Sequence, residues 1–442
     1  MYQRNTPITN TTNHQNNSFS TNRYAGVRVY PTDMATQNFG RLKVRAVTAN
    51  LTPVDNARVT VSSVAAPGTV IEELTTDSSG LTPEIALPAP SIDYSLAPST
   101  VQPYSEYTVN ITSSDFVPVT VQNVEVLPDV ASTQNTTLIA TSPQGAALYV
   151  IPPHTLYGDY PPKIAEAEIK PTEETGEIVL ANVVIPEFVV VHDGPPTDTS
   201  ATNHYIRFRD YIKNVASSEI YATWPEATIT ANVLAILSFT LNRVYTEWYR
   251  NQGFNFTITS STAFDHKWMP GRNIYDNISL IVDQLFTSYL SRPNVKQPIL
   301  TQYCDGQKVQ CPNWMTQWGS KDLGDQGRSA IEILRHFYGS NMFINTATEV
   351  SGVPSSWPGA NLNIGASGGN VRTIQEQLNR ISDAYTLIPK LAVDGQYTQQ
   401  TAEAVRIFQQ IFDLPQTGIV DFATWYRISG IYVAVSRIAE YE

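Results

Sequence analysis

Glu219 closes the run Arg209-Asp210-Tyr211-Ile212-Lys213-Asn214-Val215-Ala216-Ser217-Ser218-Glu219 and is followed by Ile220, Tyr221 and Trp224. Apolar neighbours raise a carboxyl from ~4.3 toward ~6, so such a group can act as a general acid near neutral pH. The same residue could equally be an ordinary carboxylate at a helix end. Asp210 and Glu226 are near in sequence, and Asp265 could be near in space. Ser261-Thr262-Ala263-Phe264-Asp265 and Gln317-Trp318-Gly319 offer the aromatic faces and polar groups of a cleft wall. Trp318 could instead be core and Asp265 a turn cap. Cys304 and Cys311, in YCDGQKVQC, have no histidine between or beside them, which leaves a disulfide across a short turn or free thiols. A closed zinc site needs four ligands, and no metal or cofactor is expected. His154, His192, His204, His266 and His336 lack metal-site spacing, so each should be solvated or internally satisfied. His266, beside Asp265, is the one to watch.

Helices must hold this group. Tyr211, Ile212, Val215 and Ile220 mark a short helix ending at Ser217-Ser218-Glu219. Thr223-Trp224-Pro225-Glu226 is a helix start, with Pro225 near the first helical position and Glu226 at the positive end of the dipole. Ile229, Val233, Ile236, Leu237, Thr240 and Val244 then give that helix a buried face.

Around these helices the chain divides. Residues 1–38 are Asn/Thr/Gln-rich and are expected to be a disordered arm. Period-two patterning over 39–130 (Leu42, Val44, Ala46; Val59, Val61; Val109, Ile111) predicts an antiparallel β-sandwich. Residues 131–154 read as a linker, 155–350 as a central α+β domain, 351–361 as a second linker and 362–442 as a helical module. In the 442 residues, 28 Lys and Arg against 40 Asp and Glu leave a net charge of −12, so nucleic acid is not an expected partner. The N-terminus has no apolar core of a signal peptide, and no export signal is expected there. Ile229–Val244 is interrupted by Asn232, Ser238, Thr240, Asn242 and Arg243, so a soluble protein with no membrane partner is expected.

Three segments resemble known families. RLKVRAVTANLTPVDNARVTVSS with TTDSSGLTPEIALPAP resembles transthyretin-like or carboxypeptidase-regulatory sandwiches. Asp210–Ile220 with Trp224-Pro225-Glu226-Ala227, then Met315-Thr316-Gln317-Trp318-Gly319 and Ile331–Gly339, is similar to the stage II sporulation protein D family. Val393-Asp394-Gly395-Gln396-Tyr397, Phe408-Gln409 and Thr424-Trp425 resemble the three-helix peptidoglycan-binding domain, with Thr417 standing where its repeat has a second Asp.

The order of the three is that of clostridial spore cortex-lytic enzymes. This resemblance implies a lytic transglycosylase made as a zymogen, which cleaves between N-acetylmuramic acid and N-acetylglucosamine in cortex peptidoglycan during germination. Glu219 would be the catalytic acid. Tyr211, Trp224, Asp265, Tyr303, Gln317 and Trp318 would bind substrate, and Asp394, Gly395, Tyr397, Gln409 and Trp425 would serve wall binding. The implied partners are peptidoglycan and a subtilisin-like activating protease that cuts within 131–154, and the implied location is the spore cortex or coat region. A muramidase, with a second carboxylate roughly 5 to 10 Å from the first, and a non-catalytic wall-binding protein are the rival expectations.

Overall fold

The computed structural model describes residues 38–141, 145–170 and 180–436. The arm expected over residues 1–38 lies outside these, apart from Asn38, which opens a strand.

Alternation builds the N-terminal module. Strands β1 (Asn38–Val47), β2 (Arg58–Ser63), β3 (Val70–Thr75), β4 (Ile85–Ala89), β5 (Ser105–Thr112) and β6 (Val119–Val126) lie in two sheets. Leu42, Val44 and Ala46 of β1 meet Val59 and Val61 of β2 and Val109 and Ile111 of β5 in one apolar core. The opposite face of β1 carries Lys43 and Arg45, as a period of two requires.

The expected linker over 131–154 is corrected over two stretches. Ala131–Thr137 forms strand β7, parallel to β1 from Arg41 to Val47, and Ala147–Val150 forms β8, parallel to β6. The pairing is therefore mixed, not antiparallel throughout, and the sheets extend to Val150. Composition misleads here because Ser132, Thr133, Gln134 and Thr136 are buried in a sheet whose partner strands satisfy their backbone. Ile274–Tyr275 pairs with the other edge of β7, so the first two modules share a sheet.

In the middle module, helix Phe208–Glu219 stops where Ile220 becomes extended. Pro225 is the N-cap, not the first helical residue, of helix Glu226–Tyr245. That helix is enclosed on nearly every side, not along one face. Asn232 donates to Ser320 Oγ (2.8 Å) and Asn242 to the Pro298 carbonyl (2.7 Å), so the NH2 groups of its buried amides find acceptors. By length and composition the stretch Glu226–Asn251 would suffice to cross a membrane, contrary to the reading of Ile229–Val244, and 89% of its most apolar window is buried within the protein.

Helices Gly369–Ile381, Gln399–Ile411 and Phe422–Ser436 form the C-terminal module. Its motif residues act as internal clamps. Gln375 donates to Asp394 Oδ1 (2.9 Å) and accepts from the Gly395 N–H (2.8 Å). Gln409 repeats this with Thr417 Oγ1 (3.2 Å) and the Gly418 N–H (2.8 Å). Thr417 thus does what the missing Asp would do. Gly395 and Gly418 have φ of +74° and +68°, which favours glycine at both turns.

The wall-contact role expected of Tyr397, Gln409 and Trp425 is corrected, because each is 2% exposed or less and spends its polar atoms internally. Tyr397 donates to the Gly418 carbonyl (2.9 Å) and Trp425 Nε1 to the Ser355 carbonyl (3.2 Å). Asp394 and Gly395 likewise serve the turn. Gln409→Leu should cost about 1–3 kcal/mol by leaving the buried Gly418 N–H unpaired, read as a lower denaturant midpoint at unchanged slope.

Candidate active site

Glu219 is fully enclosed at the end of its helix. Its Oε1 accepts the Lys267 N–H (2.6 Å). Gln317 Nε2 donates both to Oε2 (3.1 Å) and to the Glu219 carbonyl (3.0 Å), which ties the Gln317-Trp318-Gly319 turn to the helix end. The Tyr303 hydroxyl faces the same carboxylate. Burial raises the Glu219 carboxyl above the ordinary glutamate value against Lys163, the Lys267 N–H, Tyr303 and Gln317, which favour its charged form.

The cleft roles expected of four residues are corrected. Trp224 and Trp318 pack at 5.0 Å in a buried aromatic cluster with Tyr221, and Trp224 Nε1 donates to the Ser95 carbonyl. Tyr211 is buried, with its hydroxyl 3.2 Å from His266 Nδ1. Asp265 takes Arg243 Nε on Oδ1 (2.7 Å) and, on Oδ2, the Tyr249 hydroxyl (2.6 Å) and both the N–H and hydroxyl of Thr259. Four donors leave it no role toward a ligand. Only Gln317 and Tyr303, of the six expected substrate contacts, meet Glu219.

The rival second carboxylates fare no better. Asp210 lies nine residues earlier on the same helix, about 13 Å along its axis. Glu226 is exposed at the start of the next helix. Asp305, whose charge is felt by Tyr160 together with that of Glu219, caps the Lys308 and Val309 N–H groups at 2.7 and 2.9 Å.

Residues the sequence did not single out complete the site. Residues 153–170 cross it without regular structure. Tyr160 is buried beside Glu219, and Lys163 donates to the Asp265 carbonyl (2.5 Å) above the Tyr303 ring (4.7 Å). Burial pulls the Lys163 ammonium down to about 8, although Glu219 and Asp265 oppose the shift. Glu166 pairs with Arg243 (2.6 Å), Glu168 with Arg292 (2.6 Å), and Lys308 donates to the carbonyls of Leu156 and Tyr157. The one available sequence signal was Arg243, a cation in the most apolar helix. Glu168→Gln should loosen this strap, giving amide exchange about two- to fivefold faster over residues 164–168.

Cys304 and Cys311 form a disulfide, with Cα atoms 6.0 Å apart, across the turn that carries Asp305 and Lys308. His266 is enclosed against Tyr303, and burial holds it well below the usual histidine value, so it is neutral. Among the described residues, no cluster of three or more His, Cys, Asp or Glu is arranged to hold a metal.

Residues 367–428 match the model of the peptidoglycan binding domain family. The chain is thus a multidomain protein of mixed sheet and helix whose C-terminal helices match a peptidoglycan-binding domain, which supports a cell-wall-related protein. No curated protein matches it. Among solved structures, the minor pilin GBS52 of Streptococcus agalactiae is 13% identical over 25% of this chain and 48% of its own, with a TM-score of 0.17. Catechol 1,2-dioxygenase of Acinetobacter sp. ADP1 is 10% identical over 28% of this chain and 62% of its own, with a TM-score of 0.19. A type II cohesin–X-dockerin complex of Acetivibrio cellulolyticus is 22% identical over 23% and 58%, with a TM-score of 0.14. The chain spans roughly half to three-fifths of these proteins, and overlaps so slight bear on neither fold nor activity.

Proposed function

We propose that this protein is a peptidoglycan lytic transglycosylase made as a zymogen, of the kind represented by the clostridial spore cortex-lytic enzyme SleC, and that it acts in the spore during germination. The observation that carries the reading is a single enclosed carboxyl at Glu219 whose burial favours its protonated form, while the acids that might have served as its partner are distant or occupied.

One carboxyl is enough for this reaction. Glu219 protonates the oxygen between N-acetylmuramic acid and N-acetylglucosamine as the anomeric bond breaks. The resulting carboxylate then takes the proton of the muramyl C6 hydroxyl, whose oxygen attacks the same anomeric carbon and closes a 1,6-anhydro ring. No water is consumed, and the acid is restored. Gln317 and the Lys267 N–H hold the carboxylate through both steps. The C-terminal domain keeps the enzyme on its polymer.

The zymogen reading is supported by the strap over Glu219, which leads directly from edge strand β8. Strand β7 lies between β1 and Ile274–Tyr275, so an activating subtilisin-like protease would find its bond in the exposed stretches Ile139–Thr141 or Gly145–Tyr149. A cut at 139–141 would leave the strap tied to the N-terminal module through β8 and through Tyr104, whose hydroxyl accepts the His154 N–H (3.1 Å) and whose ring meets Tyr157.

Total burial of Glu219 also favours a second reading, a wall-binding protein without catalysis. Digestion of purified cortex by the protease-trimmed protein separates the readings by muropeptide mass. Anhydro ends support the proposal, products heavier by one water identify a muramidase, and an undigested cortex leaves the binding protein. Intact-mass analysis without a new terminus in the two exposed stretches would reject the activation step.

A further inference from the structure

The three modules line a half-open cavity of about 520 Å³ where they meet, within the range of small-molecule sites. Arg45 and Thr136 line it from the N-terminal sheets, Lys213 and Trp268 from the middle module, and Phe412 and Arg427 from the C-terminal helices. None of these lies at Glu219.

Cations slightly outnumber acids. Lys43, Arg45, Arg207, Arg209, Lys213, Arg272 and Arg427 gather here with Asp210, Asp276, Asp283 and Asp413, and Arg207 and Arg272 are taken by Glu187 (3.5 Å) and Glu125 (2.6 Å). Three of the four aspartates are already engaged. Asp413 takes Lys43 (2.6 Å) and Arg45 (2.8 Å), Asp276 takes Lys43 (3.1 Å), and Asp283 takes Lys213 (2.7 Å) and Arg209 (3.3 Å). Asp210 is exposed at the rim.

Cationic hydrogen-bonding capacity is left over. The Arg45 and Arg427 guanidinium carbons lie 5.4 and 5.5 Å from the centre of the same Phe412 ring, so two like charges share one aromatic surface. Arg45, only 6% exposed, has Nη1 buried without a partner, and so have Arg427 Nε and Thr136 Oγ1 among the described residues. Buried guanidinium N–H groups without acceptors are costly, and an oxyanion is the ligand that satisfies them. Burial also pulls the Lys213 ammonium down to about 8 against Asp283 and Asp210, with Arg427 and Arg209 adding to the shift.

We propose that this cavity binds a small oxyanion, a carboxylate or phosphate, clamped between Arg45 of the N-terminal module and Arg427 of the C-terminal one. Because its walls come from three modules, the anion holds the uncut assembly together, and removal of the N-terminal sheets destroys the site.

The test is the thermal midpoint of the full chain with citrate, inorganic phosphate or muramoyl dipeptide, each against sodium chloride of equal ionic strength. At least one anion should raise the midpoint by ~3 °C at a hundredfold excess over its dissociation constant, and the rise should vanish in Arg427→Gln. Which of the three acts identifies the source as a free polycarboxylate, free phosphate or a peptide-stem carboxylate. Calorimetric titration of both proteins keeps the result readable where the substitution lowers the unliganded midpoint. No rise beyond the salt control with any of the three, or equal binding by Arg427→Gln, overturns the proposal.

Discussion

Glu219→Gln, in the protease-trimmed protein, should lower anhydro-muropeptide release by about 10³-fold while leaving wall binding intact. The substitution keeps the shape of the side chain and removes the transferable proton, and its single amide oxygen can accept from either the Lys267 N–H or Gln317 but not from both. It should also change stability in a direction a purely structural carboxylate would not. Burial raises the folded-state carboxyl above its unfolded value, so the folded chain binds the extra proton. That contribution is fully present below the unfolded value of ~4.3 and is lost as pH rises through the folded one. Between pH 4 and pH 7 the denaturant midpoint of the glutamine variant should therefore rise relative to that of the parent. Unchanged cortex turbidity loss in the variant would remove the mechanism.

Arg243→Met should be the most destabilising single change, at about 3–5 kcal/mol, because it strands two acids in the interior. Arg243 is itself fully enclosed and bridges Asp265 (2.7 Å) and Glu166 (2.6 Å), which joins the floor of the site to the strap. The triple variant Arg243→Met, Asp265→Asn, Glu166→Gln removes all three charges and should recover much of the loss, since unpaired charge and not lost packing dominates. Denaturant titration of the single and triple variants decides this. Equal losses in both would assign the cost to packing. The pair also predicts acid sensitivity. Burial pushes the Glu166 carboxyl up, but Arg243 and Lys170 overcome it and hold it low, so its contribution is present above ~4.3 and fades as pH falls below.

Local features of the site were readable because their causes are local. The apolar sequel Ile220-Tyr221-Trp224, the helix ending at Glu219 and the helix start around Pro225 all follow from spacing within a few residues. The duplicated glutamine clamp of the C-terminal domain was visible as a repeated motif, although its role in fixing turns was not.

What the chain sequence settled by itself is therefore the position of Glu219 at a helix end, the alternation of β1 and the C-terminal repeat that matches a peptidoglycan-binding domain. The tertiary structure alone decided that Asp265, Trp224 and Trp318 are interior, that 131–137 is a paired strand, and that a strap from residues 153–170 seals Glu219. The physical reason is range. Lys163 and Asp265 are 102 positions apart and Arg41 and Ala131 are 90, and whether a polar side chain is a ligand group or a satisfied core residue depends on donors that only the folded chain brings to it.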